Sequence, residues 1–221
     1  MPRPASPARR TGRPPTTSRE QILHGARRII DRDGWQKLTI RRLAAEIGVG
    51  ATTIYHHVRD KDDLLVQVLD YYADQIERPR LPEDPRERVV VAATTMHDAI
   101  AAWPQVAELL TADDLMGESA LWMIDAIVGG AVECGCSPEQ AAELYRSVWY
   151  YTIGEILIRA NAGRRAEDDR PRYRDTVFAN LDASRYPNLA VLGKSWPRVT
   201  ARDTYDRGLR ALVDGLLAAQ S

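Results

Sequence analysis

Residues 51–65 read ATTIYHHVRDKDDLL and crowd two threonines, a tyrosine, two histidines and a lysine into one short run. Two chemistries compete for such a set. A metal would need His56 and His57 to converge on one ion, yet neighbours on a helix point about 100° apart and cannot easily share a ligand. The other chemistry is recognition. Hydroxyls and an imidazole reach phosphate oxygens or base edges, and an Ala or Thr methyl can sit against a thymine methyl. With Ile54 and Val58 turned inward, Ala51, Thr52, Thr53, Tyr55 and His57 are left for the outer faces. On this reading there is no catalytic pair, no metal and no cofactor.

The segment that must position this run is LTIRRLAAEIGVG, residues 38–50. Thr39 is placed to cap a short helix, small Ala44 lets two helices cross closely, and Gly48 falls where a tight turn needs positive φ. Leu43, Ile47 and Ile54 would share one core. A short helix, a glycine turn and a second short helix make a helix-turn-helix, whose second member fits a DNA major groove.

Charge supports that placement. Of the 30 Lys+Arg and 31 Asp+Glu, residues 1–61 hold 13 and 5, a balance of +8, and the remainder hold 17 and 26, a balance of −9. A basic segment on an acidic body is the footprint of a polyanion-binding module joined to something else. Other classes lose ground. No window approaches the ~18 uninterrupted apolar residues of a membrane span, and the Pro- and Arg-rich start is no secretory signal, so the expectation is a cytoplasmic, nucleoid-associated protein. Cys134 and Cys136 are too close for an ordinary disulfide and lack partners for a zinc site. Nor is there a Gly-rich phosphate loop, a paired metal-ligand motif or a Gly-x-Ser-x-Gly elbow, so an enzyme is not expected.

The periodicity elsewhere is helical throughout and predicts an all-α chain of about nine or ten helices. Residues 1–17 are expected to be a disordered basic arm. Ser18 and Gln21 form a capping box for a helix that Asp33-Gly34 ends. A longer helix starts at Asp60 or Lys61, with Leu64, Leu65, Val68, Leu69 and Tyr72 inward, and links on to about residue 78. The Pro-rich stretch 78–85 is the expected boundary. Beyond it, Pro85 opens a helix striped by Val89, Ala93, Met96 and Ile100. Ser137-Pro138-Glu139 opens one that is apolar on more than one face through Ile158, residues 161–175 are expected to form a polar loop, and Thr200 to open the last helix.

The run LTIRRLAAEIGVGATTIYHHVRDKDDLL, preceded by ILHGARRIIDRDGW, resembles the DNA-binding domain of the TetR family of bacterial transcriptional regulators over residues 18–66. The resemblance implies a three-helix DNA-binding domain with contacts from Thr39 and Arg41 at the second helix, from Thr52, Thr53, Tyr55 and His57 on the reading helix, and from Lys61 to phosphate; His56 is off that face, a packing or rim residue. TGRPP, residues 11–15, resembles the Gly-Arg-Pro core of arms that enter narrow minor grooves, with Arg13 inserted and Arg9 and Arg10 on phosphates; a solvated tail is the alternative.

Residues 86–221 resemble the C-terminal domain of tetracycline-repressor-like members. That implies effector binding, and a homodimer through helices at about 138–160 and 201–219, reading a palindromic double-stranded operator. Met96, His97, Trp103, Trp122, Met123, Trp149, Tyr151 and Glu155 are the candidate pocket residues, plain core being the alternative for the aromatic and Met side chains and a satisfied buried pair or a dimer-interface contact the alternative for His97 and Glu155. Tetracycline repressors contact the drug through a His near the end of the fourth helix; residues 62–80 have none, which argues against a metal-tetracycline effector. The expectation is a repressor released by a small molecule; a TetR-like activator or a low-specificity architectural protein are the alternatives.

Overall fold

The computed structural model describes residues 17–112, 115–166 and 173–219; the expected arm with Arg9, Arg10 and Arg13 lies outside them. Among the described residues the chain is all-α, with twelve helices and no strand. The excess over nine or ten comes from short helices in residues 173–200. The chain forms two compact units, residues 1–71 and 72–221, so the division falls upstream of the Pro-rich stretch.

In the first unit, α1 (Arg19–Asp33) starts at the expected capping box: Ser18 and the Gln21 side chain each accept the other's backbone N–H. Gly34 ends it at φ 85°, ψ 154°, a region open essentially to glycine. Thr39 accepts the Arg42 N–H and caps α2 (Ile40–Ile47). Gly48, left-handed at φ 74°, stops α2, with its own N–H and that of Val49 returned to the Ala44 carbonyl. Only five residues make α3 (Ala51–Tyr55) before α4 (Lys61–Ala73) begins. Leu43, Ile54, Leu64, Leu65 and Val68 are completely buried, as are Ile22 and Ile29 of α1, and Leu23 is nearly so.

The close crossing of α1 and α2 depends on a residue outside the helix-turn-helix. A Cβ at Gly25 would stand 2.5 Å from Ile47 Cγ2 and 3.0 Å from Leu43 Cδ1. The glycine on α1 is what lets these two helices meet, while Ala44, on α2, is buried as well. Arg28 and Arg32 both reach Glu46 across the same crossing, and Arg42 reaches Asp33 at 2.7 Å.

In the second unit, Asp84 caps α5 (Pro85–Ala101), with proline in its first turn. Then follow α6 (Pro104–Ala112), α7 (Leu121–Glu133) and α8 (Pro138–Ala166), the last opened by Ser137 and Gln140 in a reciprocal cap. α9 (Tyr173–Ala179), α10 (Pro187–Ala190) and α11 (Trp196–Thr200) precede α12 (Tyr205–Ala218). α5 lies along α7 with Gly130 tucked against Pro85 and Val89, while α8 takes α7 on one side and α12 on another. Val89, Ala93, Met96 and Ile100 are buried as one stripe.

Two expected boundaries are wrong. Residues 161–175 are no loop throughout: α8 continues to Ala166 and α9 starts at Tyr173. Ala162, Arg164, Arg165 and Ala166 are good helix formers and carry α8 on across Asn161 and Gly163, where polarity alone suggested a stop. Thr200 does not open the last helix either. It ends α11, its hydroxyl bonded back to the Trp196 carbonyl, and α12 starts five residues later at Tyr205. Isolated threonines satisfy a preceding carbonyl as readily as they cap a helix.

Candidate functional site

The helix-turn-helix presents the side chains that sequence placed outside. Ile54 and Val58 are buried, whereas Tyr55 is 56% exposed and Arg41, Thr52 and His56 are open to solvent. Ala51, Thr53 and His57 are half-buried on the same short helix and its exit. Thr39 is exposed, but its hydroxyl already accepts the Arg42 N–H, leaving it a donor for a further partner. Lys61 is not a free ammonium: Nζ lies 5.0 Å above the Trp35 ring, which aims it while leaving its hydrogens available. The surface therefore offers hydroxyls, a phenol, an imidazole and a guanidinium on a rigid base.

The segment joining α3 to α4 is held from the α4 side. Asp63 Oδ2 accepts the Arg59 N–H at 2.7 Å, and Gln67 donates to the His57 carbonyl at 3.1 Å. The Arg59 N–H holds the Asp63 carboxyl below its ordinary range, helped by the Gln67 amide and the Arg59 charge. A depressed folded-state value means that the contribution is complete above the unfolded value of about 3.9 and is lost as pH falls through the folded value. Wild-type protein should therefore unfold at higher denaturant than Asp63→Asn at pH 7, and the gap should close as the pH is taken down to 3. A gap that stays constant over that range would disprove the charge dependence.

In residues 72–221 the candidate pocket residues separate into groups. His97 stacks on Tyr205 with centroids 3.7 Å apart and planes 19° off parallel, and Tyr205 stacks in turn on Tyr151 at 5.3 Å. His97 Nε2 lies 3.1 Å from Glu155 Oε2 and Nδ1 lies 2.9 Å from Asp98. Glu155 also pairs with Arg159, which reaches Asp203 at 3.2 Å; Asp203 accepts the Tyr205 N–H. The Tyr205 hydroxyl meets Thr152, fully buried, at 2.7 Å. Burial pushes the Tyr205 phenol far above its ordinary range, so it stays protonated.

This cluster unites His97, Tyr151 and Glu155, but the named polar groups already satisfy one another, which makes it a rigid support. Its other members, Thr152, Arg159, Asp203, Tyr205 and Gly208, were not anticipated. Gly208 is needed because a Cβ there would stand 2.0 Å from the Tyr151 hydroxyl. The i, i+3 and i, i+4 spacing of Thr152, Glu155 and Arg159 on one helix was a usable signal; the arrival of Tyr205 from 53 residues away had none.

Met96, Trp103 and Met123 are buried, Trp103 with its ring 5.2 Å from Tyr72. Trp122 and Trp149 are half-buried. The Arg78 guanidinium lies 5.4 Å from the Trp122 ring centroid, and Trp122 Nε1 is a buried donor with no partner in the structure. Leaving such a donor unmade costs about 1–3 kcal/mol. Among the described residues no group of three or more His, Cys, Asp or Glu is placed to hold a metal ion, and both cysteines are free.

Residues 22–68 match the family model of bacterial regulatory proteins of the tetR family, and residues 78–220 match that of the tetracyclin repressor-like C-terminal domain. The chain belongs to the TetR family of transcriptional regulators. An HTH-type transcriptional regulator of Saccharopolyspora erythraea is 26% identical over 220 residues, covering 96% of this chain and 89% of the relative. The class C tetracycline repressor of Escherichia coli is 24% identical, covering 90% of each. Among solved structures, apo ActR from Streptomyces coelicolor superposes with a TM-score of 0.72 at 25% identity, covering 93% of this chain and 97% of ActR. ActR in complex with (S)-DNPA gives 0.70 at 24% identity, covering 92% and 98%. These TetR relatives are transcriptional regulators and no enzyme family is indicated. No helix among the described residues is long and apolar enough to cross a membrane.

Proposed function

We propose that this TetR-family chain is a repressor that binds a palindromic operator as a homodimer and is released by a small molecule. The observation that carries the reading is the exposed set Arg41, Thr52 and Tyr55 above the buried Ile54 and Val58. Such a surface reads base edges from a major groove, while Lys61, Thr39 and the basic balance of residues 1–61 supply phosphate contacts. Arg13, on the arm, would add a minor-groove contact.

The dimer reading draws on α8 and α12. Tyr150 and Ile158 are 64% and 73% exposed, and nothing lies within 4 Å of where a Cβ of Gly154 would stand. Spaced four residues apart, the three make one flat apolar stripe on which a second copy can approach closely. Pairing two copies spaces two reading helices about one DNA turn apart.

For the effector, the orphaned Trp122 Nε1 supports a ligand that offers a hydrogen-bond acceptor, with Met96, Trp103, Met123, Trp149, His97, Tyr151 and Glu155 as the further candidate contacts. Effector and operator must weaken each other by the same factor, because each shifts the balance only by its differential affinity for the two states.

The test is titration of the purified protein against duplex from its own upstream intergenic region and against random duplex, over a salt series. A ratio of about 10³ or more is expected at physiological salt, reduced about 10- to 100-fold by Arg41→Ala or Tyr55→Ala. Equal binding to both duplexes with a steep loss in salt, unaltered by either substitution, would leave only phosphate reading and defeat the proposal.

A further inference from the structure

One side chain in the first unit touches three elements at once. The Gln67 Oε1, on α4, accepts the Arg19 Nε–H from the start of α1 at 2.8 Å, while Nε2 donates to the His57 carbonyl at 3.1 Å and to Asp63 Oδ2 at 3.3 Å. The amide orientation is dictated by its partners: turned over, its oxygen would face two oxygens and its nitrogen a guanidinium. Only an amide fits, since a carboxylate would repel Asp63 and has no donor for His57.

The His57 carbonyl is worth holding. α3 is a single turn and a half, and a helix that short has little internal hold on its last carbonyls. Its exit is set by the His57 and Val58 N–H groups returning to Ile54 at 2.8 and 3.1 Å. Ile54 anchors α3 from beneath, and Gln67 fixes its exit from α4, with Asp63 holding the Arg59 N–H two residues further on. The side chains that face outward from α3 are therefore aimed by α4 as much as by α3 itself.

We propose that Gln67 is the positioning residue that locks the exit of the reading helix to α4, so that a displacement of α4 reaches residues 51–57 through its amide. The proposal rests on the reading of that surface as a DNA interface, and names the joint within it. α4 runs unbroken to Ala73, past the division between the units at Tyr71, so it is the covalent path by which the second unit can act on the first.

Gln67→Glu and Gln67→Met separate the joint from mere packing. The first keeps an acceptor for Arg19 but loses the donor for His57; the second loses both at similar length and with good helix propensity. In the full-length protein, amide exchange at His57, Val58 and Arg59 should quicken about tenfold in both variants, the scale of one lost hydrogen bond. Protection in α1 should stay at wild-type values for Gln67→Glu, which keeps the Arg19 partner, while its thermal midpoint falls because the new carboxylate repels Asp63. Binding to the upstream duplex should weaken about tenfold in both variants with random-duplex binding unchanged, since poor aim costs base contacts before phosphate contacts. Wild-type exchange rates at those three amides in Gln67→Glu would overturn the proposal. If wild type fails to distinguish the two duplexes, the DNA reading falls, and the exchange rates still decide whether the joint exists.

Discussion

Replacing Gly130 by valine is expected to destabilise residues 72–221 by about 3 kcal/mol, at the upper end of what overpacking usually costs, while Gly129→Ala beside it is expected to stabilise by about 0.5–1 kcal/mol. The two glycines are neighbours on α7 and carry the same helix-propensity penalty. They differ in what surrounds them. A Cβ at Gly130 would stand 2.7 Å from the Pro85 carbonyl oxygen and 2.8 Å from Val89 Cγ2, whereas nothing lies within 4 Å of a Cβ at Gly129. The obstacle at Gly130 is partly backbone, so it cannot swing aside as a flexible side chain would. Relief requires α5 to move off α7 along the most extensive helix pairing in this unit. Chemical denaturation of both variants against wild type measures the pair. Equal shifts of either sign would mean that propensity alone governs these positions and that the α5–α7 contact yields freely.

On the proposed dimer reading, substituting Ile158 by lysine should have the largest functional effect, leaving the protein monomeric at micromolar concentration and weakening binding to its upstream duplex by about 10²–10⁴, the range that linking two binding sites contributes. Ile158 is 73% exposed in the single chain, and lysine is a good helix former. The fold of the chain should therefore tolerate the change. Two lysines brought together at a paired α8 face would repel one another and lose the apolar contact. Sedimentation analysis reads the oligomeric state and duplex titration the affinity, with thermal unfolding as a check on the fold. A variant that remains dimeric with wild-type affinity would place the interface elsewhere than the Tyr150–Gly154–Ile158 stripe.

Both expectations turn on close approach, the property that residue type conveys least. Small Ala44 stands out inside the helix-turn-helix, and it is buried. Nothing local singles out Gly25, which sets the α1–α2 crossing, on a helix whose own periodicity gives no reason for a glycine. The same holds for Gly208, which makes room for a tyrosine far away in the chain.

What the sequence by itself determined is local. Caps at Ser18, Thr39 and Ser137, the left-handed turn at Gly48, and the inward set Leu43, Ile54, Val58, Leu64 and Leu65 all follow from hydrogen-bond accounting and a 3.6-residue period, which need only near neighbours. So does the outward set of α3, since a helix with one face committed to the core must show the other. Only the tertiary structure decided that His97, Thr152, Glu155, Arg159, Asp203 and Tyr205 close on one another, that Trp122 keeps an unmet donor, and that Gln67 ties three helices with one amide. Those facts depend on which faces meet, over separations of up to 108 residues between His97 and Tyr205. No local pattern encodes such a meeting; it is set by how whole helices pack.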